Sequence, residues 1–289
     1  LTDENGAVTG VKAESADGTI YTINAKKVVL ATGGFSANGE MLMEYDTQWG
    51  ITTPDIKTDN NPGNTGDDIT MAQKLGGATA AMDNIMMFPL STKGNSDASG
   101  AFGFNGSSNL MINTKGVRFV DETASRFEIC HAVFEQEEPY YYIISDALNS
   151  RVDKMTEEEL QKSIDAGVVF KGDTLEELAE KIGVDADTLK STVEQYNTAC
   201  ETSDDKLFGR TSFADGSEIV QGPFYATALE PCSHITIGGL VVDDNYAVLT
   251  DDGKPIENLY AVGETIVGSC GLSAFAYGKD LGARLANAN

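Results

Sequence analysis

The stretch Lys27-Val28-Val29-Leu30-Ala31-Thr32-Gly33-Gly34-Phe35 constrains the fold more than any other. A short continuous apolar run, without polar alternation, suits a strand buried on both faces, as in a parallel sheet. The glycine pair at its end lets the backbone approach a ligand or a helix with no Cβ in the way. The run therefore predicts a buried parallel strand that ends at a ligand site or a helix.

The rest of the chain is read around that strand. Val8–Ala13 and Thr19–Ile23 alternate about Asp17-Gly18, a hairpin signal. The turn-rich segment from Asn61 to Asp68 leads into a helix expected over Ile69–Leu75 and stopped by Gly76-Gly77. Residues 84–125 are rich in Gly, Ser and Asn and predict irregular strands and loops. A helix is expected over Thr123–Phe134 and a strand over Tyr140–Ser145. Thr156 and Thr174 each precede early acids and read as helix N-caps, and Asp187–Cys200 repeats the helical pattern. These three helices read as the outer face of an inserted domain. Short strands return at Phe224–Ala228, Gly239–Val242, Ala247–Thr250 and Leu259–Val262, before a last helix from Leu272 to Ala286. A β–α order at both ends with a different middle predicts one α/β domain interrupted by an insertion.

Composition excludes several functions. Asp plus Glu number 45 against 20 Lys plus Arg, a net charge of −25. Phosphate backbones and anionic lipid repel such a chain, so no nucleic-acid partner and no membrane surface is expected. No apolar run approaches a membrane span. Hydrophobic residues make up 41% of the 289 residues, enough for a core. Cys130, Cys200, Cys232 and Cys270 form no CxxC, and His131 and His234 build no HExxH, so no metal site is expected. The first residues, Leu1-Thr2-Asp3-Glu4-Asn5-Gly6, carry neither Met nor a signal-peptide pattern and read as the interior of a longer chain. The compartment is left open between cytoplasmic and exported.

Three glycine sites recur: Ala31-Thr32-Gly33-Gly34, Ile237-Gly238-Gly239 and Gly268-Ser269-Cys270-Gly271. A Gly-rich turn into a helix offers N–H groups and a dipole to an electron-rich ligand edge. Each alone is equally a tight turn. Together they point to a large, flat or phosphorylated cofactor.

The order of motifs along the chain resembles the flavoprotein subunits of fumarate reductases and succinate dehydrogenases, above all the soluble flavocytochrome type. The resemblance covers nearly the whole length. It rests on Val28–Phe35, Thr65-Gly66-Asp67-Asp68, Asn113–Phe119, Glu122–Arg126, Thr192–Asn197, Phe208-Gly209-Arg210, Gly222–Ala226, His234–Gly239 and Leu259–Glu264. It implies an α/β fold: a partial FAD/NAD(P)-binding Rossmann-type domain over 1–83 and 236–289, with an inserted α+β capping domain over 84–235. The family's opening strand–GxGxxG–helix unit, which holds the FAD pyrophosphate, has no counterpart here. The resemblance therefore implies FAD in a longer parent and an incomplete FAD site in this piece.

The implied reaction is hydride transfer from reduced flavin to an activated C=C bond, with an arginine delivering the proton. Arg126 falls on that arginine, against the commoner fate of a solvated or ion-paired helix Arg. Glu122 either orients Arg126 or is its i, i+4 neighbour on a helix. His234 matches a histidine that binds substrate carboxylate, and a buried structural histidine is the equal alternative. Ala31, Thr32, Gly33, Gly34, Gly238 and Gly239 would line the flavin, and Glu264 would accept from its ribityl hydroxyls. Leu272, Ser273 and Ala274 would aim N–H groups at the flavin O2 edge. Thr65 and Asp67 would stand in a second layer near the cofactor.

The departures bear on substrate. Phe88-Pro89-Leu90 replaces a His-Pro-Thr, Asn105-Gly106-Ser107-Ser108 replaces an Arg-Gly-x-Gly, and Gly268–Ser273 lacks a family arginine. A dicarboxylate needs paired cationic donors, so a bulkier, less charged unsaturated small molecule is expected. Two alternatives stand: a FAD-dependent dehydrogenase of a steroid-like ring ketone, and a catalytically inert piece that binds a partner. An electron-donor protein or domain would lie elsewhere, because the chain has no haem-attachment CxxCH.

Overall fold

The computed structural model describes residues 1–93, 109–149 and 156–287. The chain divides into two compact units, Leu1–Met86 with Ser233–Asn289, and Met87–Cys232. The expected boundaries lay at 83/84 and 235/236. The Asn105–Ser108 departure lies outside the described residues.

In the first unit, β1 (Gly10–Glu14) and β2 (Ile20–Asn24) form an antiparallel hairpin with Glu14 opposite Ile20. Its turn is closed by Asp17, which accepts from the Ser15 hydroxyl and the Thr19 N–H, and these bonds lower the carboxyl to about 2. β3 (Val28–Leu30) is shorter than its apolar run implies. It pairs in parallel with β12 (Pro255–Ala261), which pairs antiparallel with β11 (Ala247–Leu249). α1 (Gly39–Tyr45), capped by Asn38, falls where no helix was expected. α2 (Asp67–Gln73) starts before the expected Ile69. β4 (Thr79–Ala80) pairs with β10 (Gly239–Leu240). α7 (Leu272–Asn287) buries only Leu281. Phe35, Leu42, Trp49, Ile69, Leu240 and Val248 are buried in this unit. Burial of each such side chain contributes about 1.5–3 kcal/mol.

The second unit is built on one sheet. Its strands run in the order β5 (Ile85–Thr92), β9 (Phe224–Thr236), β7 (Tyr141–Ser145) and β6 (Leu110–Ile112), with β8 (Val169–Gly172) also on β9. β7 is buried throughout, because both of its faces are covered. Met111, Tyr141, Ile143 and Leu229 point to one face and pack with Ile129 and Val133 of α3 (Arg126–Phe134). Leu110, Tyr142, Ile144 and Ala226 point to the other. There they meet α5 (Leu175–Ile182) and α6 (Ala186–Thr202). This alternation is the period of two that a pleated strand imposes.

Three expectations change here. β5 occupies part of the segment expected to be irregular, and its Pro89 is tolerated because β5 is an edge strand. The helix expected from Thr123 starts at Arg126, because Ser125 and Glu128 form a capping box. β9 runs on to Thr236, so His234 stands on a strand. The threonine caps are where the sequence places them: Thr156 caps α4 (Glu157–Asp165) and Thr174 caps α5. Among the described residues, no helix is long and apolar enough to cross a membrane, and no cluster of His, Cys, Asp or Glu is placed to hold a metal ion.

Candidate active site

β3 and β12 are parallel and end side by side, with Leu30 opposite Ala261. Ala31–Gly34 and Val262–Glu264 therefore leave from the same end of the sheet. Open α/β sheets bind ligands in the crevice beyond the carboxyl ends of their strands. Ala31 and Thr32 are exposed there, Gly33 is half-buried and Gly34 is buried. Gly33 has φ +100°, a left-handed conformation that favours glycine. At Gly34, a Cβ would stand 2.1 Å from the Thr236 hydroxyl and 2.7 Å from Glu264 Oε1. The glycine is needed for close approach to this protein's own side chains.

Glu264 sits in a short 3-10 turn and is half-buried. Its carboxylate accepts from the Thr236 N–H at 3.0 Å and from Asn60 Nδ2 at 3.3 Å. It is thus fixed in place by protein donors. Asp68 is a residue that sequence reasoning missed. It is fully buried and accepts from the Thr265 hydroxyl at 2.6 Å and the Thr32 N–H at 3.2 Å. Thr265 also donates to the Gly33 carbonyl at 3.1 Å. Asp68 therefore staples the turn after β3 to the turn after β12. The neighbouring Asp67, singled out from the sequence, is exposed in the first turn of α2.

The other expected cofactor residues divide. Gly238 and Gly239 pack against backbone, where a Cβ would meet the Ala81 carbonyl at 2.2 Å and the Thr265 carbonyl at 2.3 Å. Thr65 is half-buried, with its carbonyl accepting from Asn38. α7 packs on the turn that carries Glu264. At its start Leu272 is exposed, Ala274 is half-buried, and the Ser273 hydroxyl donates to the Cys270 carbonyl at 2.7 Å. Around Gly268 and Gly271 a Cβ would meet nothing within 4 Å, so this face is open.

His234 is held by a segment with no sequence signal of its own. The Ser233 N–H donates to the Lys57 carbonyl and the Asp59 N–H to the Ser233 carbonyl. This bridge puts both Asp59 oxygens 2.9 Å from His234 Nδ1. A carboxylate only accepts, so Nδ1 carries the proton. The Asp59 side chain is 9% exposed and that of His234 32%, so the acid supports a more accessible imidazole.

In the second unit, Arg126 is exposed at the first turn of α3, and its guanidinium carbon lies over the Phe88 ring, 4.7 Å from the centroid. Arg118, Arg210 and Arg284 are all paired with carboxylates. Among the described arginines, Arg126 alone is not.

Glu122 corrects an expectation. It lies in the turn before α3, fully buried, and does not contact Arg126. It accepts from Arg118 Nε and Nη2 at 2.9 and 2.8 Å, from Arg210 Nη1 at 2.9 Å and from the Met111 N–H. Its partner four residues away is Arg118. Asp205 closes the network with two bonds from Arg118. Burial works against the Arg118 cation, but the bonds to Glu122 and Asp205 outweigh it and raise its pKa.

A sequence profile described as the FAD binding domain matches residues 1–276. The chain belongs to the FAD-binding domain family. Over 289 aligned residues it is 34% identical to an NADH:acrylate oxidoreductase of Vibrio harveyi, covering 96% of this chain and 29% of that protein. The open conformation of a flavocytochrome c3 fumarate reductase superposes with TM-score 0.77 at 30% identity, over 93% of this chain and 46% of that one. A 3-ketosteroid delta1-dehydrogenase from Sterolibacterium denitrificans, in complex with 1,4-androstadiene-3,17-dione, superposes with TM-score 0.75 at 26% identity, over 100% of this chain and 58% of that one. The chain spans less than two thirds of each relative. The matches place this FAD-binding domain with the fumarate reductase and succinate dehydrogenase flavoproteins, as its motifs implied.

FAD is the family's cofactor, and the residues present fit it. Exposed backbone at Ala31 and Thr32, a fixed carboxylate at Glu264, and the open glycines before α7 are donors and acceptors suited to a flavin nucleotide.

Proposed function

We propose that this FAD-binding domain is part of a reductase that adds a hydride and a proton across an activated C=C bond. Bound FAD, once reduced, supplies the hydride. Arg126 supplies the proton, and His234, held by Asp59, binds an electron-rich group of the substrate. Residues 87–232 serve as the capping domain that carries Arg126. Glu122 holds the core beneath it and takes no direct part. Ala31–Gly34, Glu264 and Leu272–Ala274 line the cofactor, with Gly238 and Gly239 providing tight backbone packing and Thr65 and Asp67 standing further out.

The observation that carries this reading is Arg126 itself. It stands at the positive end of a helix with no carboxylate partner among the described residues. Such a cation attracts an anionic substrate, and no hydrogen bond among the described residues takes up its side-chain N–H groups. The names of the NADH:acrylate oxidoreductase and of the flavocytochrome c3 fumarate reductase fit the same chemistry. An electron-donor protein or domain is part of the proposal.

The test is replacement of Arg126 in the FAD-loaded protein. Arg126→Gln is expected to lower alkene reduction by about 10²–10⁴-fold, the usual contribution of a general acid, while the flavin spectrum stays that of wild type. Turnover near the wild-type rate would overturn the reading. A second reading, dehydrogenation of a ring ketone, is favoured by Phe88, by exposed Leu272 and Phe275, and by the ketosteroid dehydrogenase match. Dye-coupled oxidation of a 3-ketosteroid without alkene reduction would select it. A chain that binds no FAD at all would favour the inert reading.

A further inference from the structure

Phe88 and Arg126 are both set on anchored backbone. Met87 and Pro89 flank Phe88 in β5 and are buried, and the Pro89 carbonyl accepts from the buried Tyr141 hydroxyl at 2.7 Å. Arg126 opens α3, whose Ile129 and Val133 pack in the same cluster as Tyr141. The ring and the guanidinium are therefore held by one core, 4.7 Å apart.

An aromatic partner differs from a carboxylate in what it consumes. A ring holds a guanidinium through its face, whereas a carboxylate takes up the N–H edge. Arg118 shows the second case, its N–H groups spent on Glu122 and Asp205. The acids nearest Arg126 in sequence are engaged elsewhere, Glu122 with Arg118 and Arg210, and Glu128 with Ser125.

We propose that Phe88 is a positioning residue for Arg126: its ring fixes the guanidinium and leaves the N–H edge to the substrate. This rests on the reading of Arg126 as proton donor. A carboxylate at position 88 would hold Arg126 as firmly but would stabilise the cation and occupy the donors that the reaction needs.

The test uses the FAD-loaded protein with acrylate as the probe alkene. Phe88→Leu is expected to lower kcat about tenfold, with KM within about twofold and a larger solvent isotope effect on kcat, since proton delivery is what loosens. Phe88→Tyr, which keeps the ring, restores kcat. Wild-type kcat in Phe88→Leu, or equal losses in Phe88→Tyr and Phe88→Leu, would overturn the proposal. A measurement with Phe88 unaltered depends neither on the folding of a Phe88 variant nor on turnover. The Arg126 Nε–H resonance, assigned by its loss in Arg126→Lys, is expected to be displaced by the ring current of Phe88. An ordinary position for that resonance would also overturn the proposal. Arg126→Gln separates the two ideas. Retained turnover there removes the proton-donor reading itself, whereas loss there with an unaffected Phe88→Leu removes only the role of Phe88.

Discussion

Glu122 and Arg210 meet at 2.9 Å in the second unit, with both side chains fully buried. Arg118 bonds the same carboxylate and shares its Oε2 with Arg210, and the rings of Tyr196 and Phe213 face the Arg210 guanidinium. Such a network is secure only while every charge is matched. Removing Glu122 leaves Arg118 with Asp205 alone and leaves the buried Arg210 without its carboxylate partner. Glu122→Ala is therefore expected to destabilise the second unit by about 3–5 kcal/mol. Urea unfolding followed by circular dichroism checks this, and a change under about 1 kcal/mol would mean that the network carries little of the fold.

Glu122 also shows where sequence reasoning stops. Arg118 and Arg126 are each four residues from it, so spacing alone cannot choose between them. The choice is made by Ser125, which caps α3 and leaves Glu122 outside the helix. Local chemistry was legible: the Asp17-Gly18 turn and the Thr156 and Thr174 caps are settled by neighbouring residues. β5 was not legible, because Gly, Ser and Asn around it and Pro89 within it mask its alternation, and its pairing with β9 is non-local. The glycine pair after the apolar run marked the carboxyl end of β3. It did not reveal Asp59, which reaches His234 across 175 positions of sequence.

Asp68 is a case where a signal existed. α2 buries Asp68, Ile69 and Ala72, so the second acid of the Asp67-Asp68 pair lies on the apolar stripe, four residues before Ala72. Its loss removes the acceptor of the Thr32 N–H and leaves the Thr265 hydroxyl with the Gly33 carbonyl alone. Asp68→Ala is expected to cost about 1–3 kcal/mol and to weaken FAD binding, because the turns after β3 and β12 are no longer tied. Thermal unfolding and flavin titration check the two parts separately. Unchanged affinity for FAD would show that the staple is structural only.

The carboxyl of Asp205 gives a pH dependence. Burial alone would raise its pKa, but the bonds from Arg118 and the Leu207 N–H lower it below the ordinary 3.8. The stabilisation is therefore complete above that value and is lost as pH falls through 3.8 toward the lowered value. Stability measured between pH 7 and pH 3 is expected to fall less steeply at the acid end in Asp205→Asn than in wild type. Parallel profiles would exclude Asp205 as a source of the acid sensitivity.

The Asp59–His234 pair tests the substrate side of the proposed reaction. Two oxygens at 2.9 Å hold the imidazole by its Nδ1 edge, so the ring cannot turn without losing a charge-assisted bond. Such a bond contributes about 1.5–3 kcal/mol. If His234 binds substrate, that energy is used to orient the ring, and Asp59→Ala should lower kcat/KM for an anionic alkene by about ten- to a hundredfold. The loss should fall mainly on KM, because the hydride and the proton come from elsewhere. Asp59→Asn, which can still accept from Nδ1, should recover part of it. Steady-state kinetics of the two variants, with FAD content matched, decide the point. A loss confined to kcat would place His234 in the chemical step, and no loss at all would leave the pair as a structural contact.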